Sequence, residues 1–258
     1  MHEGALETIV VDSYSEDNTV AIAESFGATV IRTTQKLLGA RCLGLELSRG
    51  DFVLLLDSDQ VLADCVLARS YQLIDEFDML LLEEHSISPS SMLQRIFYHE
   101  RRLAHSNRSG HADPNAGILL PRFYRRELLE RAISKIPQPL LDFVIAHDHA
   151  IIYYESARLS NRVGMVSNAI YHQEPRSMQD LWKKNFRYGV STGWLAKTGY
   201  YSALLNPRKK LRVMGTEGSS IDWLASLLLL SMKAVPYEFG YMKGLLSLPR
   251  DSSGAFLS

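Results

Sequence analysis

Two aspartates one residue apart follow an apolar run, and their spacing suits them for chemistry. The run Phe52-Val-Leu-Leu-Leu56 leads directly into Asp57-Ser-Asp59. Carboxylate oxygens are the ligands that hard divalent cations prefer, and a bound cation would in turn hold an anionic group of a substrate. The plain alternative is a strand that ends in two solvated surface aspartates.

Four other side chains extend this candidate site. Asp12 ends a β-branched run, and Asp148 and His172 occur much later in the chain. Arg41 lies near Gly39, shortly before the apolar run, and a guanidinium there could meet a phosphate. A lone arginine is, however, more often a surface residue.

The elements around these residues alternate between strand and helix. We expect strands over Thr8–Asp12, Ala28–Arg32 and the acidic-ended run, with helices from Val20 to Phe26 and from Leu37 to Leu47 between them. The alternation predicts an α/β fold with a Rossmann-like, mostly parallel sheet flanked by helices. The carboxyl ends of parallel strands meet at one edge, so the aspartates of the first and third strands would line one cleft.

Further elements are expected downstream, and the last of them form a helical C-terminal tail. The predicted helices and strands are helix 61–77, strand Met79–Glu83, helix 89–105, strand Ala116–Leu120, helix Glu127–Ile133, strand 162–171 and helix 177–196. The aromatic residues of the last helix fall near helical spacing. They fit a buried core better than a platform for a sugar ring: Trp182, Phe186, Tyr188 and Trp194.

Several of these segments together resemble the family 2 glycosyltransferases. The resemblance covers about residues 7 to 195, with order, spacing and residue types in agreement. Its motifs are Val10-Val-Asp-Ser-Tyr-Ser-Glu-Asp-Asn-Thr19, Leu38-Gly-Ala-Arg41 with Gly44, Gly50-Asp-Phe-Val-Leu-Leu-Leu-Asp-Ser-Asp59, His147-Asp148, Ala169-Ile-Tyr-His172 and Lys184-Asn-Phe-Arg-Tyr-Gly189.

The resemblance implies a GT-A fold and transfer of a sugar from a nucleotide-diphosphate donor to an acceptor hydroxyl, with inversion at the anomeric carbon. It implies that Asp12 contacts the nucleotide base, Asp57 lies near the ribose and Asp59 binds a metal ion, Mg²⁺ or Mn²⁺. His172 would be a further metal or diphosphate contact, and Asp148 the general base. These roles agree with metal stabilisation of a departing diphosphate and proton transfer to a carboxylate.

The sequence departs from the family pattern in three places. Ser13 stands where a second acidic residue is usual, and it is expected beside Asp12 in the nucleotide site. His147 stands where the family carries an acidic residue, so the base function could be tuned or shared there. The usual first strand and helix are not recognisable before residue 7. We therefore expect either an N-terminally truncated domain over residues 1–205 or a sheet that closes differently.

Composition narrows the partners and the compartment. The 28 Lys and Arg residues nearly balance the 29 Asp and Glu residues, which argues against nucleic acid as a partner. Two cysteines, Cys42 and Cys65, form neither a metal motif nor a disulfide framework, as is typical of the reducing cytoplasm. Neither a signal peptide nor an apolar run of ~18 residues is visible.

The tail, residues 206–258, joins a basic run, Arg208-Lys-Lys-Leu-Arg212, to a leucine-rich segment. Such a combination suits peripheral contact with the inner face of a membrane, and the acceptor would then be a lipid-linked or cell-envelope saccharide. A solvated loop followed by a helix that packs on the catalytic domain is the alternative.

Other functions also fit these sequence features. A nucleotidyltransferase would share the sheet and the paired carboxylates, and a non-catalytic binding or assembly domain would share the fold alone. A transition-metal cluster formed by His147, His149 and His172 is a further alternative to scattered, separate histidines.

Overall fold

The first two strands form a small parallel sheet of their own. The computed structural model describes residues 6–106, 113–115, 120–205, 218–247 and 249 of the chain. Strands β1 (Ile9–Asp12) and β2 (Thr29–Arg32) pair in parallel and are connected by α1 (Thr19–Ser25). After α1, Gly27 adopts a φ of +77°, a conformation that only glycine reaches at little steric cost. This unit confirms the first parallel pair that the sequence predicts.

The main sheet has five strands and carries most of the candidate site. They are β3 (Phe52–Leu54), β4 (Gln60–Leu62), β5 (Met79–Ser86), β6 (Pro121–Arg125) and β7 (Val163–His172). Their order across the sheet is β3-β6-β5-β7-β4. β5 and β7 run parallel, while the β3–β6, β5–β6 and β4–β7 pairs are antiparallel.

The α/β class with a helix-flanked sheet is confirmed, but the strand pairing differs from the mostly parallel sheet that the sequence predicts. Only two of the five described strand pairs are parallel. Part of the predicted helix 61–77 is the short strand β4, and helix α3 is limited to Val66–Leu73. β4 pairs with the end of β7, more than a hundred residues away, and local apolar spacing does not show such a partner.

Strands β1 and β3 do not pair with each other. Among the described residues, β1 pairs only with β2, and β3 pairs only with β6. The segments just before β1 and β3 are joined by a hydrogen bond of 2.9 Å from the Arg49 backbone N–H to the Glu7 carboxylate.

Two apolar cores cover the two faces of the main sheet. Along β5, Met79 and Leu81 face the first core, whereas Leu80 and Leu82 face the second. The first core is built with α2 (Leu37–Leu47), α5 (Arg126–Ile133), α6 (Asp148–Ala157) and α7 (Met178–Thr198), and the second with α3. Because side chains alternate across a strand, burial on both faces produces the uninterrupted apolar run in the sequence.

The last described helix, α8 (Ser220–Leu246), packs against α7 and against α4 (Met92–Ser106). It begins with a capping box formed by Ser219 and Asp222. Glycines let α7 and α8 touch backbone to backbone, since a Cβ at Gly189 would lie 2.0 Å from the carbonyl oxygen of Tyr237. The predicted helical tail is thus present.

Some predictions fall on residues outside the described part. These are the basic run 208–212 and most of the predicted strand Ala116–Leu120. The division into a catalytic domain, 1–205, and a tail, 206–258, stays a prediction. Among the described helices, none combines the length and the apolar character needed to cross a membrane.

Candidate active site

The carboxylate of Asp57 lies between two arginines just beyond β3. One oxygen accepts a short hydrogen bond from Nη2 of Arg41 on α2, and the other accepts a bond of 2.9 Å from Nη1 of Arg122 on β6. Burial alone would raise the pKa of Asp57, but the charges of the neighbouring Arg41 and Arg122 side chains hold it well below its ordinary value. Asp57 is therefore an ionised carboxylate fixed from both sides.

Arg41 joins Asp57 to Asp148, the predicted catalytic base. Its Nε donates to Oδ2 of Asp148 at 2.6 Å, and only 10% of the Arg41 side chain is exposed. Gly39 lets α2 pack closely against the backbone at Leu141, because a Cβ at position 39 would lie 2.6 Å from the Leu141 carbonyl oxygen. The guanidinium thus holds two carboxylates, and its predicted contact with a phosphate stays a prediction.

Asp148 is the first residue of α6 and is held in place by α7. His147 precedes it with a φ of +68°, and the backbone N–H of Ile145 donates to Ser191 Oγ at 2.9 Å. Burial favours the neutral acid, but the charge of Arg41 contributes most to lowering the pKa of Asp148 below its ordinary value. The carboxylate is ionised at neutral pH, as a proton acceptor must be.

His149 is buried beside Asp148 and supports Arg122. Its Nε2 lies 2.8 Å from Arg122 Nη1. A guanidinium can only donate, so Nε2 is the acceptor and the neutral ring carries its proton on Nδ1. Burial, followed by the charges of Arg41 and Arg122, lowers the pKa of His149 to about 4. His149 therefore acts as a neutral acceptor at physiological pH.

Asp59, the predicted metal ligand, faces His172 and Lys184. Its Oδ2 lies 3.5 Å from Nε2 of His172 and 3.3 Å from Nζ of Lys184. On its other side, Nδ1 of His172 lies 3.5 Å from Oε2 of Glu174. Burial would raise the pKa of Glu174, but His172 and Arg101 lower it to about 2. An ionised carboxylate thus stands behind the imidazole.

Asp59 and His172 fit a divalent cation that also takes ligands from a substrate. A histidine with a carboxylate behind its second nitrogen is a usual arrangement for a metal ligand. The described part of the chain gathers no group of three His, Cys, Asp or Glu side chains for a metal ion. Among the described residues, the pair available to a cation at this point is therefore Asp59 and His172.

The three histidines of the alternative transition-metal cluster do not converge in the described structure. His147 lies 3.3 Å from the Thr192 hydroxyl, His149 contacts Arg122, and His172 faces Asp59. Each ring has its own partner, so separate roles are the better interpretation.

Asp12 and Ser13 lie apart from this group, at the end of β1. The Asp12 carboxylate accepts hydrogen bonds of 3.1 and 3.2 Å from the backbone N–H of Ser15, and it lies 3.8 Å from Arg32 Nε. Asp12 is buried, whereas Ser13 is exposed. None of their described hydrogen bonds or ion pairs reaches Asp57 or Asp59, and their contact with a nucleotide base stays a prediction.

Residues 2–130, half of the chain, match the family described as glycosyl transferase family 2. The chain belongs to this family. Two relatives of this family 2 chain are uncharacterized glycosyltransferases of Rickettsia bellii (strain RML369-C) and Rickettsia conorii (strain ATCC VR-613 / Malish 7), 25% and 26% identical over 195 residues. The matches cover 75% of this chain but only 60% and 62% of the relatives.

Solved structures share the fold of this family 2 member. S. aureus TarS, residues 1–349, is 17% identical with a TM-score of 0.53, and the match covers 93% of this chain and 81% of that one. The same TarS fragment in complex with UDP-GlcNAc gives 15% identity and a TM-score of 0.55, with coverage of 93% and 79%. At these identities the likeness establishes the fold alone.

Sequence reasoning missed a chain of ion pairs that runs through the family 2 site. Arg122 Nε donates to Glu84 at 2.8 Å, and Arg101 of α4 donates to Glu84 at 2.5 Å and to Glu174 at 2.9 Å. The Ser86 hydroxyl also donates to Glu174, at 2.9 Å. These residues belong to no short motif, and only the pairing of β5 with β6 and β7 brings them together.

Tyr188 is a second residue that the sequence left without a role in the site. It lies on α7 one turn after Lys184, whose Nζ is 6.0 Å from the centre of its ring. Burial raises the pKa of Tyr188, and the nearby charges of Asp148, Asp57 and Asp59 raise it further. The half-buried ring therefore lies beside the Lys184–Asp59 pair of this family 2 protein.

Proposed function

We propose that this chain is a metal-dependent, inverting glycosyltransferase that moves a sugar from a nucleotide-diphosphate sugar to an acceptor hydroxyl. The observation that carries the proposal is the bridge that Arg41 makes between Asp57 and Asp148. The bridge holds the buried, ionised carboxylate of Asp148 beside Asp57, and this arrangement supports a role for Asp148 as the proton acceptor. Membership of glycosyl transferase family 2 supports the reaction class.

In the proposed reaction, Asp148 accepts the proton of the acceptor hydroxyl as its oxygen attacks the anomeric carbon. The new bond forms on the face opposite the departing diphosphate, so a single displacement inverts the configuration. Asp59 and His172 would hold Mg²⁺ or Mn²⁺, which stabilises the charge that develops on the diphosphate. Asp57 would lie near the ribose, and Asp12 with Ser13 near the base.

The acceptor is proposed to be a lipid-linked or cell-envelope saccharide, with the protein bound peripherally at the cytoplasmic face of the membrane. Support comes from the outer face of α8, where ten large apolar side chains are exposed. They are Ile221, Trp223, Leu224, Leu227, Leu228, Leu230, Val235, Phe239, Met242 and Leu246. A large apolar helical face of this kind is typical of interfacial helices, and the sequence places basic residues 208–212 shortly before it.

Donor turnover tests the transferase reaction. A panel of nucleotide-diphosphate sugars is incubated with Mg²⁺ or Mn²⁺, and release of nucleotide diphosphate is measured in the wild type, Asp148→Asn and Asp59→Asn. We expect at least about a hundredfold loss in both variants, because each removes a charge that the transition state needs. Asp64→Asn, at an exposed aspartate nearby in sequence, is the matched control.

Three outcomes would contradict the proposal. Pyrophosphate release would indicate a nucleotidyltransferase, and full activity of Asp148→Asn would exclude its role as the base. Absence of both nucleotide binding and turnover across the panel would favour a binding or assembly domain. The anomeric configuration of the product, measured by NMR, tests inversion separately.

Co-sedimentation with liposomes tests the membrane contact. Vesicles with about 30% anionic lipid should retain the wild type and lose Leu227→Ser/Phe239→Ser, which removes two side chains that are each 61% exposed. Ile22→Ser, at a side chain on α1 that is 56% exposed, should bind like the wild type. A wild type that stays in the supernatant would leave packing on the catalytic domain as the role of α8.

A further inference from the structure

We propose that the ammonium of Lys184 occupies the cation position of Asp59 before the donor binds, and that it moves to the donor diphosphate when a divalent cation takes that position. This inference rests on the proposed function for the identity of the donor. It concerns a residue on α7 that is distant in sequence from the paired aspartates.

The Lys184 ammonium and the His172 ring face the same carboxylate oxygen of Asp59. Oδ2 of Asp59 is 3.3 Å from Lys184 Nζ and 3.5 Å from His172 Nε2. A cation coordinated by Asp59 and His172 would therefore lie directly beside the ammonium. Like charges at this distance repel each other strongly in a partly buried site, so the two cations compete for the carboxylate.

Lys184 is free to move in a way that the arginines of the site are not. Its side chain is 38% exposed, whereas those of Arg41 and Arg122 are each 10% exposed. Each arginine forms ion pairs with two carboxylates, while the described ion pair of Lys184 is with Asp59 alone. The four-carbon stem of a lysine also allows its charge to be placed at several points.

Lysine side chains are ammonium ions at neutral pH, so Lys184 brings a mobile positive charge to this position. Once displaced by a divalent ion, a charged ammonium at the edge of the cleft would find its next anionic partner in the diphosphate held by that ion. Charge-assisted hydrogen bonds of this kind are the stronger ones in proteins.

Two binding measurements with opposite expected signs test the proposal. Mn²⁺ affinity without nucleotide is measured by electron paramagnetic resonance, and UDP affinity with saturating Mg²⁺ by calorimetry. In Lys184→Met we expect Mn²⁺ to bind about threefold more tightly, as for loss of a part-exposed ion pair. UDP should bind about tenfold more weakly, as for loss of a charge-assisted hydrogen bond.

Lys183→Met is the matched control, because Lys183 is exposed and its loss changes the net charge equally. It should leave both affinities within twofold of the wild type. Adding Asp59→Asn to Lys184→Met should abolish the gain in Mn²⁺ affinity.

Changes of the same sign in Lys184→Met would overturn the proposal, since general damage weakens both ligands together. Equal Mn²⁺ affinities in the wild type and Lys184→Met would also overturn it. Neither result contradicts the proposed transferase function, because that function is tested by donor turnover. If the Mn²⁺ and UDP affinities change in opposite directions but no donor is turned over, the exchange of cations at Asp59 is supported and the transferase function is rejected.

Discussion

Buried His149 makes stability depend on pH between the ordinary pKa of a histidine and its own lowered pKa. The ordinary pKa of histidine is 6.5, and burial beside Arg41 and Arg122 lowers that of His149 to about 4. Between these two values the unfolded chain binds a proton on this residue and the folded chain does not. Stability therefore falls as the pH falls from about 6.5 toward 4.

The size of the effect follows from the two pKa values. One proton difference changes the free energy of unfolding by about 1.4 kcal/mol per pH unit. Integrating between pH 7 and pH 5 gives a loss of about 2 kcal/mol from His149 alone. The carboxylates of the partly buried Asp57 and the buried Asp148 have lowered pKa values, so their stabilising contribution is lost only at lower pH, below about 4.

Urea unfolding, followed by fluorescence at pH 7 and pH 5, measures this difference. In His149→Gln the amide oxygen can still accept a hydrogen bond from Arg122, but the side chain no longer titrates. We therefore expect most of the difference of about 2 kcal/mol to vanish. His85→Gln, at a partly exposed histidine on β5, is the control and should keep it. A His149→Gln variant as pH-sensitive as the wild type would refute the assignment of His149 as a buried neutral acceptor.

Three further predictions concern the supports of the site. Arg41→Met removes the cation between Asp57 and Asp148, so the pKa of Asp148 should rise and the acid limb of the pH–rate profile should move up by at least about one unit. An unchanged limb would contradict this. Gly189→Leu should lower the free energy of unfolding in urea by about 3 kcal/mol or more, because its Cβ would meet the Tyr237 carbonyl oxygen at 2.0 Å. Arg101→Met takes the arginine away from the buried Glu174 and leaves Glu84 with Arg122, and it should cost about 3 kcal/mol in the same assay, whereas a loss under about 1 kcal/mol would show that the ion-pair chain is dispensable.

The parts of the fold that depend on neighbouring residues could be predicted from the sequence. Helix α2 has the bounds Leu37–Leu47 that apolar spacing predicts, and β5 begins at Met79 as expected. The aspartates at 57 and 59 lie just beyond β3 because the apolar run ends there. Asp148 begins α6, where a carboxylate in the first turn is favoured by the helix dipole.

The parts that depend on distant partners could not be predicted. β4 has only three residues, and its backbone is satisfied by the end of β7, where Gln60 pairs with His172. β6 lies between β3 and β5, and this position brings Arg122 to Asp57 and Glu84. No local pattern distinguishes Arg122 from an ordinary surface arginine, because its role is set by strands that are remote in sequence.

The two halves of the site differ in how their carboxylates are neutralised, and this difference has a functional consequence. Asp57 and Asp148 share one buried guanidinium, and such a bridge is costly to open because the buried Asp148 would lose the ion pair that the structure describes for it. Asp59 instead faces a more exposed lysine and a histidine across 3.3 and 3.5 Å. A proton acceptor needs a fixed position, whereas a cation site must exchange its occupant with each donor. In the proposed reaction, the rigid pair would serve proton transfer, and the looser pair would serve the entry and departure of the diphosphate.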